Sequence, residues 1–329
     1  MNIKQKASAF AVASAFVLSV TKFSVGTMSG SMTVLSSGLD SLLDVFMSAM
    51  NFFAIKKAAE PADESHPYGH GKAESIAASI QALVIIFTGA FIIYKAAQKF
   101  IHKEAIFYSG LDLGVMCLSL VFSLLISSVL KRIGRRTESN ALMADALHYT
   151  SDLYSNSAAI LAIILTYWTK MFFFDIMFAV ITGLIIIVSA MRILKGGVSG
   201  LMDSRIPRPL ENEIESIIDA TAFPCAGYHK FRTRSSGNKK YIDFHLLICR
   251  RLHIDEAHGL ANAIESRIAE RLTAVDTTIH LEPCTYVCDL NEESCVVIKM
   301  RKRKASAPWL GRTQMPSLVD DNPEAHPNG

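Results

Sequence analysis

Asp40 and Asp44 stand four residues apart in one long apolar stretch, and His148 and Asp152 stand four apart in another. In an α-helix that spacing stacks each pair on one face. Carboxylates inside a bilayer core are costly and mark ion pathways or proton relays. Three carboxylates and one imidazole facing one another form a four-donor set suited to Zn²⁺ and similar divalent metals. The polar stripes are wider than these four residues: Ser37, Asp40, Asp44, Ser48 and Asn51 follow helical spacing, as do Asp145, His148, Asp152 and Asn156. Two antiparallel helices carrying them would line one water-accessible path. Asp145 lies nearer one end of its stretch and reads as a solvated entrance charge, outside the ligand set.

Two further groups of donors follow. The string PADESHPYGHGKAES holds Asp63, His66 and His70 in a D-x2-H-x3-H arrangement within a loop. Later in the chain, His229, His245, His258, His280 and Glu282 are spread over expected strands and a helix. Seven of the ten histidines fall in these three groups, a bias toward metal chemistry. Cys284 and Cys288 read as reduced bystanders, because a spacing of four is a weak zinc signature. The sequence lacks a Gly-rich phosphate loop, an HExxH motif and a nucleophile elbow, which leaves an enzyme reading without a site.

The elements that must hold these residues are membrane helices. Half of the 329 residues are hydrophobic, and the apolar ones come in blocks at about residues 7–25, 32–54, 76–94, 111–130, 141–167 and 172–193. Each is near the roughly 20 residues needed to cross about 30 Å of hydrocarbon. Six spans follow, occupying residues 1–200. Basic residues concentrate on one set of flanks, among them Lys56, Lys57, Lys131, Arg132, Arg135 and Arg136. That asymmetry places both termini in the cytoplasm. Lys22, near the outer end of the first span, reads as snorkelling to the interface.

Residues 201–290 change to the pattern of a small α/β domain: a helix over 209–222, strands over 227–234 and 239–250 joined by a turn, a helix over 255–272 and a strand over 276–281. Residues 291–329, with the basic cluster Lys299, Arg301, Lys302, Arg303 and Lys304, read as a disordered tail. A formal charge of +3 gives no case for nucleic acid as a partner.

Four strings together resemble the cation diffusion facilitator family: DSLLD from Asp40, PADESHPYGHGKAES, ALMADALHYTSD from Ala141, and TIHLEPC around His280. The resemblance covers about residues 6–290. It implies a six-helix membrane protein with a metallochaperone-like cytoplasmic domain, a homodimer in a bacterial inner membrane, and proton-coupled export of divalent metal by alternating access. Asp40, Asp44, His148 and Asp152 would then form the transport site, and Asp63, His66 and His70 the loop site. His229, His245, His258, His280 and Glu282 would make a binuclear cytoplasmic site, with Lys72 and Asp203 as a charge interlock. Glu282 stands where near relatives carry Asp. Zn²⁺ ranks first as transported and regulatory ion, followed by Fe²⁺ and Cd²⁺. Metal and protons would compete for the same side chains; among these, His148 has a reference pKa of about 6.5, closest to physiological pH. The rival readings are a membrane-anchored metal sensor or assembly scaffold, and a proton-coupled transporter of organic cations.

Overall fold

The computed structural model of the chain describes residues 1–29, 32–102, 110–169, 173–221, 225–272 and 274–284. Six long helices come first: α1 (Ile3–Ser29), α2 (Met32–Ala58), α3 (Lys72–His102), α4 (Gly110–Arg136), α5 (Asn140–Thr169) and α6 (Phe173–Leu201). Five of them, α1 to α4 and α6, are long and apolar enough to cross a membrane. The sixth, α5, has 30 residues, about 45 Å at 1.5 Å per residue. Its apolar content is lowered by the stripe Asp145, His148, Asp152 and Asn156. The expected Cys288 and the expected tail over 291–329 lie outside the described residues.

Local chemistry sets the helix ends and small residues set the packing. Ser139 precedes α5, and its Oγ accepts a hydrogen bond from the Leu142 N–H at 3.4 Å, satisfying an otherwise unpaired first-turn donor. The same hydroxyl donates to Glu74, which also receives the Lys4 ammonium at 2.9 Å. Lys4 and Glu74 are both buried. This cluster ties the starts of α1, α3 and α5 together. Elsewhere α3 packs on α6, α1 on α2 and α4 on α5. A Cβ on Gly183 would lie 2.6 Å from Ile93 Cγ1 and 2.9 Å from the Gly89 carbonyl oxygen. Such backbone proximity is how membrane helices gain van der Waals contact where lipid and side chain are equally apolar.

The remaining described chain forms a compact unit of α7 (Arg208–Thr221), β1 (Cys225–Ser236), β2 (Lys239–Ile248), α8 (Ile254–Arg271) and β3 (Val275–Pro283). The three-stranded sheet has the order β1-β2-β3. Gly237, at φ 62°, turns the chain from β1 into β2, and left-handed backbone of this kind favours glycine. The α8 crossover returns the chain so that β3 runs parallel to β2, with Phe244 opposite Ile279 and His245 opposite His280.

Alternation along β2 separates core from chemistry. Ile242, Phe244, Leu246 and Ile248 pack on Ile214 and Ile218 of α7 and on Leu260, Ile264 and Ile268 of α8. Alternate strand residues point to opposite faces, so His245 is carried to the face away from that core. On β3, Ile279 and Leu281 pack against the core, which turns His280 and Glu282 to the His245 side.

The close α3–α6 approach makes a specific demand. Gly183→Val should lower the thermal midpoint of the purified protein, since overpacking costs roughly 1–3 kcal/mol. Gly114→Ala, whose new methyl meets nothing within 4 Å, should be neutral or stabilising, because alanine favours a helix interior by about 0.5–1 kcal/mol over glycine. Melting curves of the two variants in the same detergent check the contrast.

Candidate metal centres

Among the described residues, three groups bring a His and carboxylate donors close enough to share a metal ion. The first lies between α2 and α5. His148 Nε2 is 2.8 Å from Asp44 Oδ1, and one ligand atom each from Asp44, His148 and Asp152 lie within 4.8 Å of one another. Asp40, one turn before Asp44, is exposed and outside this three-residue group.

A buried polar network borders the group. Asp145 is fully buried, which corrects the expectation of a solvated entrance charge. The Ser48 hydroxyl donates to Asp145 Oδ1 at 3.0 Å, and the Gln81 amide donates to the same oxygen at 3.2 Å. Ser48 also shares a 2.8 Å hydrogen bond with the Tyr149 hydroxyl, and the Asn51 amide donates to Gln81 Oε1. The carboxylate is stabilised by these donors from α2 and α3, since burying it without them would be costly. The sequence signals for this network are Gln81 in an otherwise apolar run and Ser48 and Asn51 in the α2 stripe.

Lys22 also departs from expectation. Rather than snorkelling, it is 7% exposed, and its Nζ donates to Ser41 Oγ on α2 at 2.8 Å.

The loop group is built by a turn. Asp63 and His66 exchange backbone hydrogen bonds, and Asp63 Oδ1 accepts from the His66 N–H at 2.6 Å. That backbone N–H, followed by the His66 ring, holds the Asp63 carboxyl below the usual range. Gly69, at φ 81°, lets the chain return, placing His70 Nε2 3.2 Å from Asp63 Oδ2 and the two histidine rings 4.6 Å apart. Just beyond, Lys72 Nζ lies 3.0 Å from Asp203 Oδ1, so α3 is linked to the segment after α6. Asp203 takes a left-handed φ of 52°.

In the third group Glu282 bridges two rings. Its Oε1 is 2.6 Å from His245 Nδ1 and its Oε2 is 2.8 Å from His229 Nε2. His280 stands farther off, 3.8 Å from Glu282 Oε1, with its ring 4.6 Å from that of His245. Its carboxylate thus links β3 to both β1 and β2. Hydrogen bonding to His245, then to His229, holds the Glu282 carboxyl down at about 2. His258 is exposed on α8 and is not part of this group.

Residues 8–202 match the cation efflux transmembrane domain and residues 206–284 the cation efflux protein cytoplasmic domain. The chain belongs to the cation efflux family. Relatives within it include the cation-efflux pump FieF of Salmonella choleraesuis, 33% identical over 87% of this chain and 95% of that protein. FieF of Escherichia fergusonii is 34% identical over the same shares. A solved metal-bound C-terminal domain of the CzcD transporter from Thermotoga maritima is 25% identical over 25% of this chain and all of that one, with a TM-score of 0.23. The family fold of helical membrane domain plus small α/β cytoplasmic domain agrees with the fold class expected from the sequence.

For this family member, Glu282 sets an acid limit. Its carboxyl is at about 2 in the fold against an ordinary 4.5. A depressed folded-state value stabilises the domain fully above the unfolded value, and that contribution is lost as pH falls through the folded one. In the metal-free protein, an isotope-edited NMR titration should place the Glu282 midpoint near 2. His245→Ala should move it up toward 4.5, the largest single hydrogen bond having been removed. A parent midpoint already at 4.5 contradicts the bridging geometry.

Proposed function

We propose that this cation efflux protein is a proton-coupled antiporter that exports divalent metal from the cytoplasm, with Zn²⁺ as first-ranked cargo and Fe²⁺ or Cd²⁺ as further cargo. The observation that carries this reading is the Asp44–His148 contact with Asp152 beside it, between two helices of the membrane domain. One imidazole with surrounding carboxylates matches the donor preference of Zn²⁺, whereas Mg²⁺ prefers an octahedron of oxygens. Asp40 completes a four-donor set by turning inward from one turn below Asp44.

Protons and metal use the same atoms. Metal binding requires ionised carboxylates and a neutral imidazole, so loading releases protons and protonation expels metal. Alternating access of one such site exchanges the two ions without a separate proton path. The protein acts as a secondary transporter and makes or breaks no covalent bond of its cargo.

We assign residues 1–200 to six-helix transport, residues 201–290 to cytoplasmic metal binding and dimerisation, and 291–329 to a disordered tail. Asp63, His66 and His70 form a loop site. His229, His245, His280 and Glu282 form the cytoplasmic site, with His258 as a further ligand. A homodimer in a bacterial inner membrane with both termini in the cytoplasm fits the basic flanks and the match to a dimerising cytoplasmic domain. Lys72 and Asp203 act as an interlock between helix ends, and as half-exposed groups they contribute little stability on their own.

In proteoliposomes, Asp44→Ala and Asp152→Ala should each abolish Zn²⁺ flux, because a three-donor site is open to water. Full flux from both variants contradicts the assignment. His148→Asp should shift selectivity away from Zn²⁺ toward harder cations, measured as relative flux of Zn²⁺ and Mn²⁺.

Zn²⁺ flux should also respond to an imposed pH gradient at clamped voltage, with a fluorescent pH reporter recording counter-movement of acid. Equal flux with and without the gradient identifies a channel or uniporter.

A further inference from the structure

We propose that Lys22 is a charge-balancing residue of the membrane metal site, and that by offsetting one of its carboxylate charges it lets the site release bound metal. The inference rests on the transport-site reading above.

The geometry places Lys22 there. At the α1–α2 contact a Cβ on Gly38 would be 3.1 Å from the Phe23 ring, and Ser19 Oγ donates to the Gly38 carbonyl at 3.4 Å. That close approach brings the Lys22 ammonium to Ser41, a buried residue between Asp40 and Asp44 in sequence. A hydroxyl alone is poor compensation for an ammonium removed from water. The charges that act on it are those of Asp44, Asp152 and Asp40. These are the carboxylates of the proposed site.

Charge counting gives the consequence. When metal binds, the ligand carboxylates are ionised and His148 is neutral, and the ammonium of Lys22 offsets one of those negative charges. Net charge among membrane helices is costly. Without Lys22 the loaded site carries one more negative charge. It should then hold metal more tightly and let go more slowly.

The test uses the full chain carrying Asp63→Ala, His70→Ala, His245→Ala and Glu282→Ala, so that Zn²⁺ titration calorimetry reports the membrane group. Adding Lys22→Met, close in volume and uncharged, should tighten Zn²⁺ binding about tenfold or more, as removal of a nearby like charge in a poorly screened site predicts. Zn²⁺ turnover in proteoliposomes should fall in the same variant. Lys22→Arg, which keeps the charge, should stay within about threefold of the parent in affinity. A purely structural lysine predicts weaker or unchanged binding in Lys22→Met, and that result overturns the proposal. Asp152→Ala in the same background separates the two ideas. If it abolishes binding while Lys22→Met does not tighten it, only the role of Lys22 fails. If it binds Zn²⁺ as the parent does, the membrane-site reading fails and takes this inference with it.

Discussion

Carboxylates held between membrane helices must be compensated, and much of the helical domain is arranged around that requirement. Ionised groups out of water are too costly to stand alone. Asp44 has the His148 ring at 2.8 Å, and Asp145 has Ser48 and Gln81. Lys22 of α1 reaches Ser41, next to Asp40 in sequence. Helices α1, α2, α3 and α5 therefore each supply at least one polar partner. The close approach of α1 and α2 at Gly38 brings the Lys22 ammonium to Ser41. A mobile cation can take the place of a proton in such a cluster at modest cost, because the compensation is already built.

The small domain uses the same chemistry under different constraints. Its core lies on one side of the sheet, formed by Phe244, Leu246, Ile214 and Ile264. Strand alternation then puts His245, His280 and Glu282 on the other side, with His229 contributed by β1. In water the desolvation penalty is small, so exposed imidazoles and a bridging carboxylate can stand ready without a surrounding network. That difference separates donors on an exposed sheet face from donors held between apolar helices. The loop group is intermediate: a short turn creates it, with His70 buried at its side chain and Asp63 half exposed.

Most of the helical architecture was legible in the sequence because apolar block length and four-residue polar spacing are local properties. The strands and helices of the small domain fall within a few residues of their expected bounds for the same reason. The α2–α5 pairing of Asp44, His148 and Asp152 was legible from matched polar stripes. Within the helical domain, what was not legible depends on a third helix. Lys22 reads locally as an interfacial lysine, and only the α1–α2 packing at Gly38 shows that it points inward. Asp145 reads as an entrance charge until Gln81 of α3 is seen to donate to it. The family resemblance sets His258 beside the other histidines, yet α8 turns its own apolar face to the core and leaves His258 exposed. The reach of Glu282 to both His229 and His245 is likewise a matter of register between strands, which spacing along one strand does not carry.

The central claim is that Asp44, His148 and Asp152, with Asp40, bind the transported cation directly. Zn K-edge X-ray absorption on the full chain, with the loop and cytoplasmic donors replaced by alanine, tests it most directly. The expected spectrum shows one imidazole nitrogen and carboxylate oxygens at about 2.0–2.2 Å in four-fold coordination, with the imidazole scattering lost in His148→Ala. A six-oxygen shell without imidazole, or an unchanged spectrum in His148→Ala, contradicts the account.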